Sequence, residues 1–199
     1  GRTSALTAVI FGLVLNVGSF LVLALMTNVL AALLAIAGTV LYFGLYTVIL
    51  KRTTTQNIVL GGAAGAVPPL VGYAAAAGTI DLAAWYLFII IFFWTPPHFW
   101  ALAIMIKDDY AKANIPMLPV VKGVEHTSIQ IMLYTVILSA LTILFGVVSD
   151  ALSWIYMIGA ALLCIAFFWY AYRLISLYKY PLLFLALFFV LVMVDAVIA

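Results

Sequence analysis

Seven long apolar runs, separated by short polar breaks, limit what this chain can fold into. They occupy approximately residues 4–26, 29–50, 57–77, 82–106, 127–148, 152–172 and 181–199. Each run is close to the roughly 20 residues that an α-helix needs to cross a bilayer. With 69% hydrophobic and 7% charged residues, the chain has too few charges to cover a soluble domain. The sequence therefore predicts an all-α polytopic membrane protein with seven transmembrane helices.

The charged residues follow the alternation of the polar breaks. All eight Lys and Arg residues fall on one predicted face of the membrane: Arg2, Lys51, Arg52, Lys107, Lys112, Lys122, Arg173 and Lys179. The opposite boundary carries the acids Asp81, Asp150 and Asp195 and a predicted aromatic belt of Trp85, Tyr86, Trp154 and Tyr156. By the positive-inside rule the basic face is cytoplasmic, or faces the mitochondrial matrix. The net charge of +2 is too small to indicate a nucleic-acid partner.

Glycine and proline are concentrated in the third and fourth runs. Gly61 and Gly65 form a G-x-x-x-G spacing, which lets another helix approach closely. The pairs Pro68-Pro69 and Pro96-Pro97 each remove two backbone donors from a predicted span. Broken helices are tolerated at membrane depth where the freed carbonyls line a cavity or meet other protein. We therefore predict two interrupted helices with a cavity between them; an ordinary proline kink at either pair is the alternative.

The polar segment between the fourth and fifth runs places adjacent carboxylates beside ammonium groups. Asp108 and Asp109 suit Mg²⁺, which typically takes one or two carboxylates and completes its shell with water and substrate phosphates. Lys112 and Lys122 would then neutralise the phosphate oxygens. Prolines at 116 and 119 stiffen the segment. This pattern predicts a site for a divalent cation and a phosphorylated ligand, and a solvated loop with unrelated charges is the alternative.

A second basic pair, Lys51 and Arg52, ends the second run. Thr53-x-x-Gln56 resembles a capping box that would open the third helix, whose N-terminal amides favour a nearby anion. Two cations beside a helix N-terminus predict a diphosphate clamp. Membrane orientation alone also requires basic residues at this position, so both interpretations stay open.

His98 lies within the fourth run, after the second proline pair. An ionisable residue at membrane depth is a functional candidate by default. On helical spacing, Trp94, His98, Ala101, Met105 and Asp109 share one face. His98 and Asp109 are expected to lie about 16 Å apart along the axis, a distance that an isoprenoid chain can span. The alternative is a neutral histidine bonded to a carbonyl that the prolines free.

Four motifs follow one another along the chain. They are Tyr46-Thr47-x-x-Leu50-Lys51-Arg52-x-Thr54-x-Gln56-Asn57-Ile58-Val59, Gly61-Gly62-Ala63-Ala64-Gly65-Ala66-x-Pro68-Pro69, Trp94-Thr95-Pro96-Pro97-His98-Phe99-Trp100-Ala101-Leu102-Ala103 and Asp109-Tyr110-x-x-Ala113-x-Ile115-Pro116-Met117-Leu118-Pro119-Val120-Val121. In this order they resemble the protohaem IX farnesyltransferase family of UbiA-type intramembrane prenyltransferases. The resemblance covers essentially the whole chain, and four ordered motifs are a far more specific signal than any one of them.

The resemblance implies a nine-helix bundle with a cavity open toward the bilayer and a polar cap on the cytoplasmic side. It implies that residues 1–199 form a single transmembrane prenyltransferase domain, truncated at its N-terminus, that holds helices three to nine. The family's first acidic motif, an Asn-Asp-Asp cluster, is then expected just upstream of Gly1. The second acidic motif has Lys112 four residues after Asp108 where the wider superfamily has another acid, which matches the haem branch better than the quinone branch.

By the same resemblance, the implied reaction transfers farnesyl from farnesyl diphosphate to a vinyl group of haem b, giving haem O. Haem b is then a substrate, and Mg²⁺ bridges the diphosphate to the protein. The implied site residues are His98, Asp109 and Tyr110 for catalysis, Lys51, Arg52, Asn57, Lys112 and Lys122 for the diphosphate, and Asp108 and Asp109 for the metal. The implied partners are membrane lipid and haem A synthase or the terminal-oxidase assembly machinery. The implied location is the bacterial cytoplasmic membrane or the mitochondrial inner membrane.

Three other interpretations remain open at this point. A related UbiA-type enzyme would prenylate a quinone or chlorophyll precursor, although the Trp94–His98 motif argues against it. A secondary transporter also uses broken helices, but it should show paired intramembrane charges, whereas these acids cluster at the cytoplasmic rim. A non-catalytic haem-handling membrane protein is the third.

Overall fold

The computed structural model describes residues 4–149, 152–173 and 179–198. Every regular element in these ranges is a helix, which confirms the predicted all-α class. The helices are α1 (Ala5–Met26), α2 (Val29–Val40) with a π-helical segment (Leu41–Leu50), α3 (Asn57–Ala77), α4 (Leu82–Met105), α5 (Lys107–Lys112), α6 (Leu118–Val121), α7 (Gly123–Val148), α8 (Trp154–Arg173) and α9 (Lys179–Ile198). The long helices begin and end within four residues of the predicted spans.

The chain is an integral membrane protein. Among the described residues, five helical segments are long and apolar enough to cross a bilayer: Leu6–Met26, Val29–Leu50, Asn57–Ala77, Leu82–Met105 and Gly123–Val148. Helices α8 and α9 have 20 residues each, which is about the length of a span, and contain shorter apolar stretches. Consecutive long helices pack against one another, and α9 returns to contact α4.

The second half of the second span is a π-helix, a feature that its apolar composition did not predict. Its backbone bonds reach one residue further than in an α-helix: the amide of Lys51 donates to the carbonyl of Tyr46 at 2.9 Å. Thr47 donates through its Oγ1 to the carbonyl of Tyr42 at 3.0 Å, again five residues back. Because π-helical turns are rare and frequently lie at functional sites, this segment indicates a functional site nearby.

Short polar turns close the end of the bundle where the predicted acidic boundary lies. Asn28 caps α2 by accepting from the amide of Ala31 at 2.9 Å, and its Nδ2 donates to the carbonyl of Ala74 in α3 at 2.7 Å. Asp81 caps α4 by accepting from the amide of Ala84 at 3.1 Å, and it also accepts a hydrogen bond from the hydroxyl of Tyr73. These bonds hold the start of α2, the end of α3 and the start of α4 together.

The proline pairs do not interrupt α3 and α4, so the predicted broken helices are wrong. Both helices run continuously, from Asn57 to Ala77 and from Leu82 to Met105, with the prolines inside them. A membrane helix can carry internal proline where neighbouring helices hold it in place. The pair α3 and α4 makes the most extensive helix contact among the described residues, and this packing stabilises both helices through their prolines.

Two buried clusters fill the bundle. One is built from α4, α7, α8 and α9 and includes Phe145, Tyr156 and Phe167. The other lies toward the basic boundary and includes Trp100 and Met117. The predicted aromatic belt is only partly right. Trp85 and Trp154 are 47% and 71% exposed, whereas Tyr156 is fully buried, donates to the carbonyl of Thr142 at 2.8 Å and belongs to the core. Tyr86 also packs inward, with its ring stacked on Phe145. Asp150 lies outside the described residues.

Candidate active site

A cavity of about 530 Å³ lies between the π segment, α3, α4 and α9. This volume is within the range typical of small-molecule sites. Its wall is mostly apolar and is formed by Tyr42, Tyr46, Ile58, Gly61, Gly62, Gly65, Pro68, Pro69, Ile91, Trp94, Thr95, Phe99, Leu185 and Phe189. The cavity predicted between the third and fourth spans is therefore confirmed, although continuous helices form it. We call it the main cavity.

Two glycines allow the neighbouring elements to reach the α3 wall of the main cavity. A Cβ at Gly61 would lie 2.4 Å from the ring of Tyr46, and a Cβ at Gly62 would lie 3.0 Å from Thr95. Close approach through small residues was predicted for this helix, and these two contacts confirm it. Gly65 differs, because a Cβ there would meet no heavy atom within 4 Å.

Aromatic rings form much of the remaining wall. Tyr42 and Tyr46 lie one above the other on the π segment, with ring centroids 5.6 Å apart. The ring of Trp94 stacks on His98 with centroids 4.4 Å apart, and Phe99 meets His98 edge-on at 5.0 Å. His98 is 8% exposed and is not itself among the residues that line the main cavity. In this arrangement His98 supports the aromatic wall from behind.

The predicted helical face that joins His98 to Asp109 does not form. Helix α4 ends at Met105, and Ile106 leaves the helical conformation with φ −117° and ψ 30°. Helix α5 then begins at Lys107. Asp109 therefore belongs to a separate helix, and its distance from His98 cannot be taken from helical rise. The chain breaks here because the apolar run ends and the charged segment begins.

Residues 107–122 fold into two short helices joined by a tight connection. Asn114 adopts a left-handed conformation with φ 52°, and the amide of Ile115 donates to the carbonyl of Tyr110 at 3.0 Å. Met117 and Leu118 are buried in the cluster around Trp100, which anchors the segment to the bundle. The segment has a defined shape, as its prolines predicted.

The charged side chains of this segment point toward solvent. Asp109 Oδ1 lies 3.6 Å from Lys112 Nζ, and the two side chains are 75% and 79% exposed. An exposed pair of this kind contributes little to stability, so both groups can exchange partners at small cost. Asp108 and Lys122 are also exposed, Asp108 in the first turn of α5 and Lys122 just before α7.

The turn before α3 forms differently from the predicted capping box. The hydroxyl of Thr53 donates backward to the carbonyl of Ile49 at 2.6 Å instead of capping α3. Gln56 takes the N-cap position without a side-chain cap, and its own amide donates to Thr54 Oγ1 at 3.1 Å. The local bonds that Thr53 makes to the preceding turn replace the box. Lys51 and Arg52 remain at this turn beside the N-terminus of α3.

Asn57 connects this turn to the buried core. It is 0% exposed, and its Nδ2 donates to the carbonyl of Lys51 at 3.3 Å. Its Oδ1 is buried and accepts no hydrogen bond from the described residues. A buried amide oxygen without a donor is costly, which marks this atom as one that a ligand, a water or an ion can satisfy.

Tyrosine residues bring the two polar segments toward each other. Tyr46 of the π segment and Tyr110 of α5 both pack against the cluster around Trp100. Because Tyr46 also lines the main cavity, it joins the cavity wall to the cluster against which Tyr110 packs. Sequence reasoning assigned no role to Tyr42, Tyr46 or Thr95; the spacing of Tyr46 before Lys51 within its motif was the available signal.

The structure thus brings together only part of the predicted site. The Lys51–Asn57 turn and α5 lie at the same end of the bundle, where Tyr46 and Tyr110 both pack against the cluster around Trp100. His98 lies deeper, behind the aromatic wall. Within the described ranges, no group of three or more His, Cys, Asp or Glu side chains could by itself hold a metal. The adjacent carboxylates of α5 fit a cation only if a ligand supplies further oxygens.

The chain is similar to a well-defined group of proteins. A family model described as "UbiA prenyltransferase family" matches residues 1–193. A "Protoheme IX farnesyltransferase" of Gloeobacter violaceus is 48% identical over 99% of this chain and 68% of its own length. Proteins of the same name from Chloroflexus aurantiacus and Deinococcus radiodurans are 49% and 48% identical, over 100% and 98% of this chain and 35% and 67% of their own lengths. No solved structure matches the chain.

The coverage of these relatives is uneven. The chain spans from about a third to about two thirds of the length of the curated relatives that it matches.

Proposed function

We propose that this chain, which belongs to the UbiA prenyltransferase family, is the main part of an enzyme that transfers farnesyl from farnesyl diphosphate to a vinyl group of haem b. The product is haem O, the precursor of the haem A that terminal oxidases use. The observation that carries the proposal is an apolar, aromatic-walled cavity whose lining includes Tyr46 and Ile58, the residues on either side of the basic Lys51–Asn57 turn in the chain. An amphiphilic substrate with an apolar chain and an anionic head suits this arrangement.

The polar end of the site holds the leaving group in this proposal. Lys51 and Arg52 beside the N-terminus of α3 bind the diphosphate, together with Lys112 and Lys122 from the other segment. Asn57 supports the first of these segments through its bond to the carbonyl of Lys51. Tyr110 orients the second segment by packing against the cluster around Trp100.

The prenyltransferases of this family use a divalent metal with their diphosphate substrates. The fit is partial but chemically sound, because Asp108 and Asp109 are accessible carboxylates and the substrate's phosphates supply the remaining oxygens. When bound, Mg²⁺ would neutralise the charge that develops on the diphosphate. The exposed Lys112–Asp109 pair releases the carboxylate for this purpose with little loss of stability.

The apolar end of the site handles the reacting carbons. The bond between C1 of the farnesyl chain and oxygen breaks, and the electron pair leaves with the diphosphate. The aromatic faces of Tyr46, Trp94 and Phe99 stabilise the allylic cation and exclude water. The terminal vinyl carbon of haem b attacks C1, water adds to the resulting cation and a proton is released, which gives the hydroxyethylfarnesyl group. His98 orients the porphyrin through Trp94, on which its ring stacks.

We place the protein in the bacterial cytoplasmic membrane, with the Lys51–Asn57 and Lys107–Lys122 segments on the cytoplasmic side. Residues 1–199 form one transmembrane prenyltransferase domain in this proposal. The correspondence of its helices to helices three to nine of a nine-helix bundle stays a prediction.

The test uses the full-length gene product in membranes supplied with haem b, farnesyl diphosphate and Mg²⁺. Extracted pigments are analysed by mass spectrometry for haem O. We expect haem O to form, to disappear with EDTA and to fall at least 100-fold in the Asp109→Ala variant, because the diphosphate loses charge compensation.

A carboxylate at the opposite end of the bundle provides the matched control. Asp81→Asn removes a charge far from the site and should leave the rate of haem O formation unchanged. Haem b recovered unchanged, under conditions in which a relative is active, would overturn the proposal in favour of a quinone-type substrate or a non-catalytic role. His98→Ala should abolish product while the protein still folds; wild-type turnover would remove His98 from the site.

A further inference from the structure

A second cavity adjoins the main cavity on the far side of the α3 wall. It has a volume of about 520 Å³ and lies between α1, α2 and α3. The two cavities share Tyr42, Gly65 and Pro68. The second cavity is otherwise lined mainly by small and apolar side chains, with the hydroxyls of Ser19 and Thr39 among them.

Gly65 is the position on this wall where a side chain would take up free space. Its Cβ would meet nothing within 4 Å, whereas those of Gly61 and Gly62 would collide with Tyr46 and contact Thr95 closely. The first two glycines are therefore explained by helix packing. Neither helix packing nor a positive φ requires glycine at position 65. Because this residue has no side chain, the boundary between the two cavities is open there.

The depth of Gly65 suits the far part of a prenyl chain. It lies eight residues after Asn57 on the continuous helix α3, about 12 Å along the axis from the polar end of the site. A prenyl diphosphate held by its head at that end would place its distal isoprene units, and not its reacting carbon, beside Gly65.

We propose that Gly65 determines which prenyl chain length the enzyme accepts, by letting the distal end of the chain pass from the main cavity into the second cavity. The inference rests on the proposed function. Tyr42 belongs to the same boundary, because it also lines both cavities. A larger side chain at 65 would close the boundary and favour a shorter chain, and a smaller one at 42 would widen it and favour a longer chain.

The experiment compares kcat/KM for farnesyl, geranyl and geranylgeranyl diphosphate in the full-length protein with haem b as acceptor. In Gly65→Leu the farnesyl-to-geranyl ratio should fall about 10-fold or more, the size of discrimination that hydrophobic pockets achieve for small differences in chain size. Gly65→Ala should shift the ratio in the same direction by less. Tyr42→Ala should raise the geranylgeranyl-to-farnesyl ratio.

Gly72→Leu is the matched control. Gly72 lies on the same helix, its Cβ would meet nothing within 4 Å, and it lines neither cavity. This variant should keep the wild-type ratios. Wild-type transfer of farnesyl with unchanged ratios in both Gly65 variants would overturn the inference and leave the proposed function intact. A wild-type protein that transfers no prenyl group to haem would overturn the proposed function itself. If Gly65→Leu fails to fold, Gly65→Ala and Tyr42→Ala decide the question.

Discussion

At the scale of single residues, the carboxylates of this protein differ in how far their oxygens are already engaged. Asp81 accepts hydrogen bonds from Tyr73 and from the amide of Ala84. Asp195 accepts from Ser153 and from the amide of Tyr156. The oxygens of both residues are occupied by structural bonds. Among the described residues, the carboxylate of Asp109 pairs with one exposed lysine, so its lone pairs are available to a ligand. This difference favours α5 as the acidic part of the site.

The Asp81 bonds predict a dependence of stability on pH. The hydrogen bond from Tyr73, and then that from the Ala84 amide, lower the pKa of Asp81 below its ordinary value of 3.8. A depressed pKa contributes stability that is present above the unfolded value and is lost as the pH falls through the folded value. We expect the apparent Tm in detergent to fall by a few degrees between pH 5 and about 3. The change is small because the group is exposed.

Asp81→Asn is the comparison for this measurement. It keeps an oxygen for the α4 cap but removes the titrating charge, so its apparent Tm should change less over the same pH range. Parallel pH profiles for the wild type and this variant would contradict the prediction.

Gly61 and Gly72 should respond to alanine in opposite directions. Gly61→Ala places a Cβ 2.4 Å from the ring of Tyr46, so it should destabilise the protein by about 1–3 kcal/mol and lower product formation by displacing that ring. Gly72→Ala meets open space within a helix and should stabilise it by about 0.5–1 kcal/mol. Urea or thermal unfolding in a fixed detergent measures both. Equal effects of the two substitutions would show that the Tyr46 contact is unimportant.

At the scale of helices, Asp195 joins α9 to the start of α8. Its carboxylate is 0% exposed, accepts from the hydroxyl of Ser153, and accepts from the amides of Ser153 and Tyr156 at 2.5 Å and 3.0 Å. It therefore acts as an N-cap that is supplied by a different helix. Tyr156 extends the connection to α7 through its bond to Thr142.

Removal of this cap should loosen α9, which contributes Leu185 and Phe189 to the main cavity. We expect Asp195→Ala to lower the apparent Tm by at least several degrees, because buried amides lose their acceptor. Val197→Ala on the same helix should have little effect, because Val197 is 87% exposed. A melt of Asp195→Ala that matches the wild type would exclude a role for the cap in stability.

The helices themselves were predictable to a greater extent than their internal geometry. Span positions follow from hydropathy, because only a backbone with internal hydrogen bonds is stable in lipid. Hydropathy does not distinguish α- from π-helical bonding, so the segment Leu41–Leu50 was missed. Hydropathy also does not predict the helix packing that keeps α3 continuous through Pro68 and Pro69. The predicted capping box at Thr53 was also wrong, because the Thr53 hydroxyl donates to the carbonyl of Ile49 and not to the start of α3.

At the scale of the whole molecule, the site combines segments that are distant in sequence. Lys51 and Asp109 were identified separately as binding residues, and their common end of the bundle followed from the alternation of charged breaks. The cavity could be predicted from glycine and proline content, but its wall could not. Tyr42 and Leu185 line the cavity because the helices that carry them pack together, and this packing cannot be read from the local sequence around either residue.

That arrangement also predicts where the molecule opens first. Helix α1 packs chiefly against α2, and none of its membrane-length window is buried within the described structure. Helix α4 contacts α3, α7 and α9, and 56% of its window is buried. Local opening costs least where few buried contacts are lost. In hydrogen-exchange mass spectrometry of this chain in detergent, amides of α1 should therefore exchange at least 10-fold faster than those of α4. Because both helices have internally bonded backbones and similar length, equal protection would show that packing does not govern the opening of this bundle.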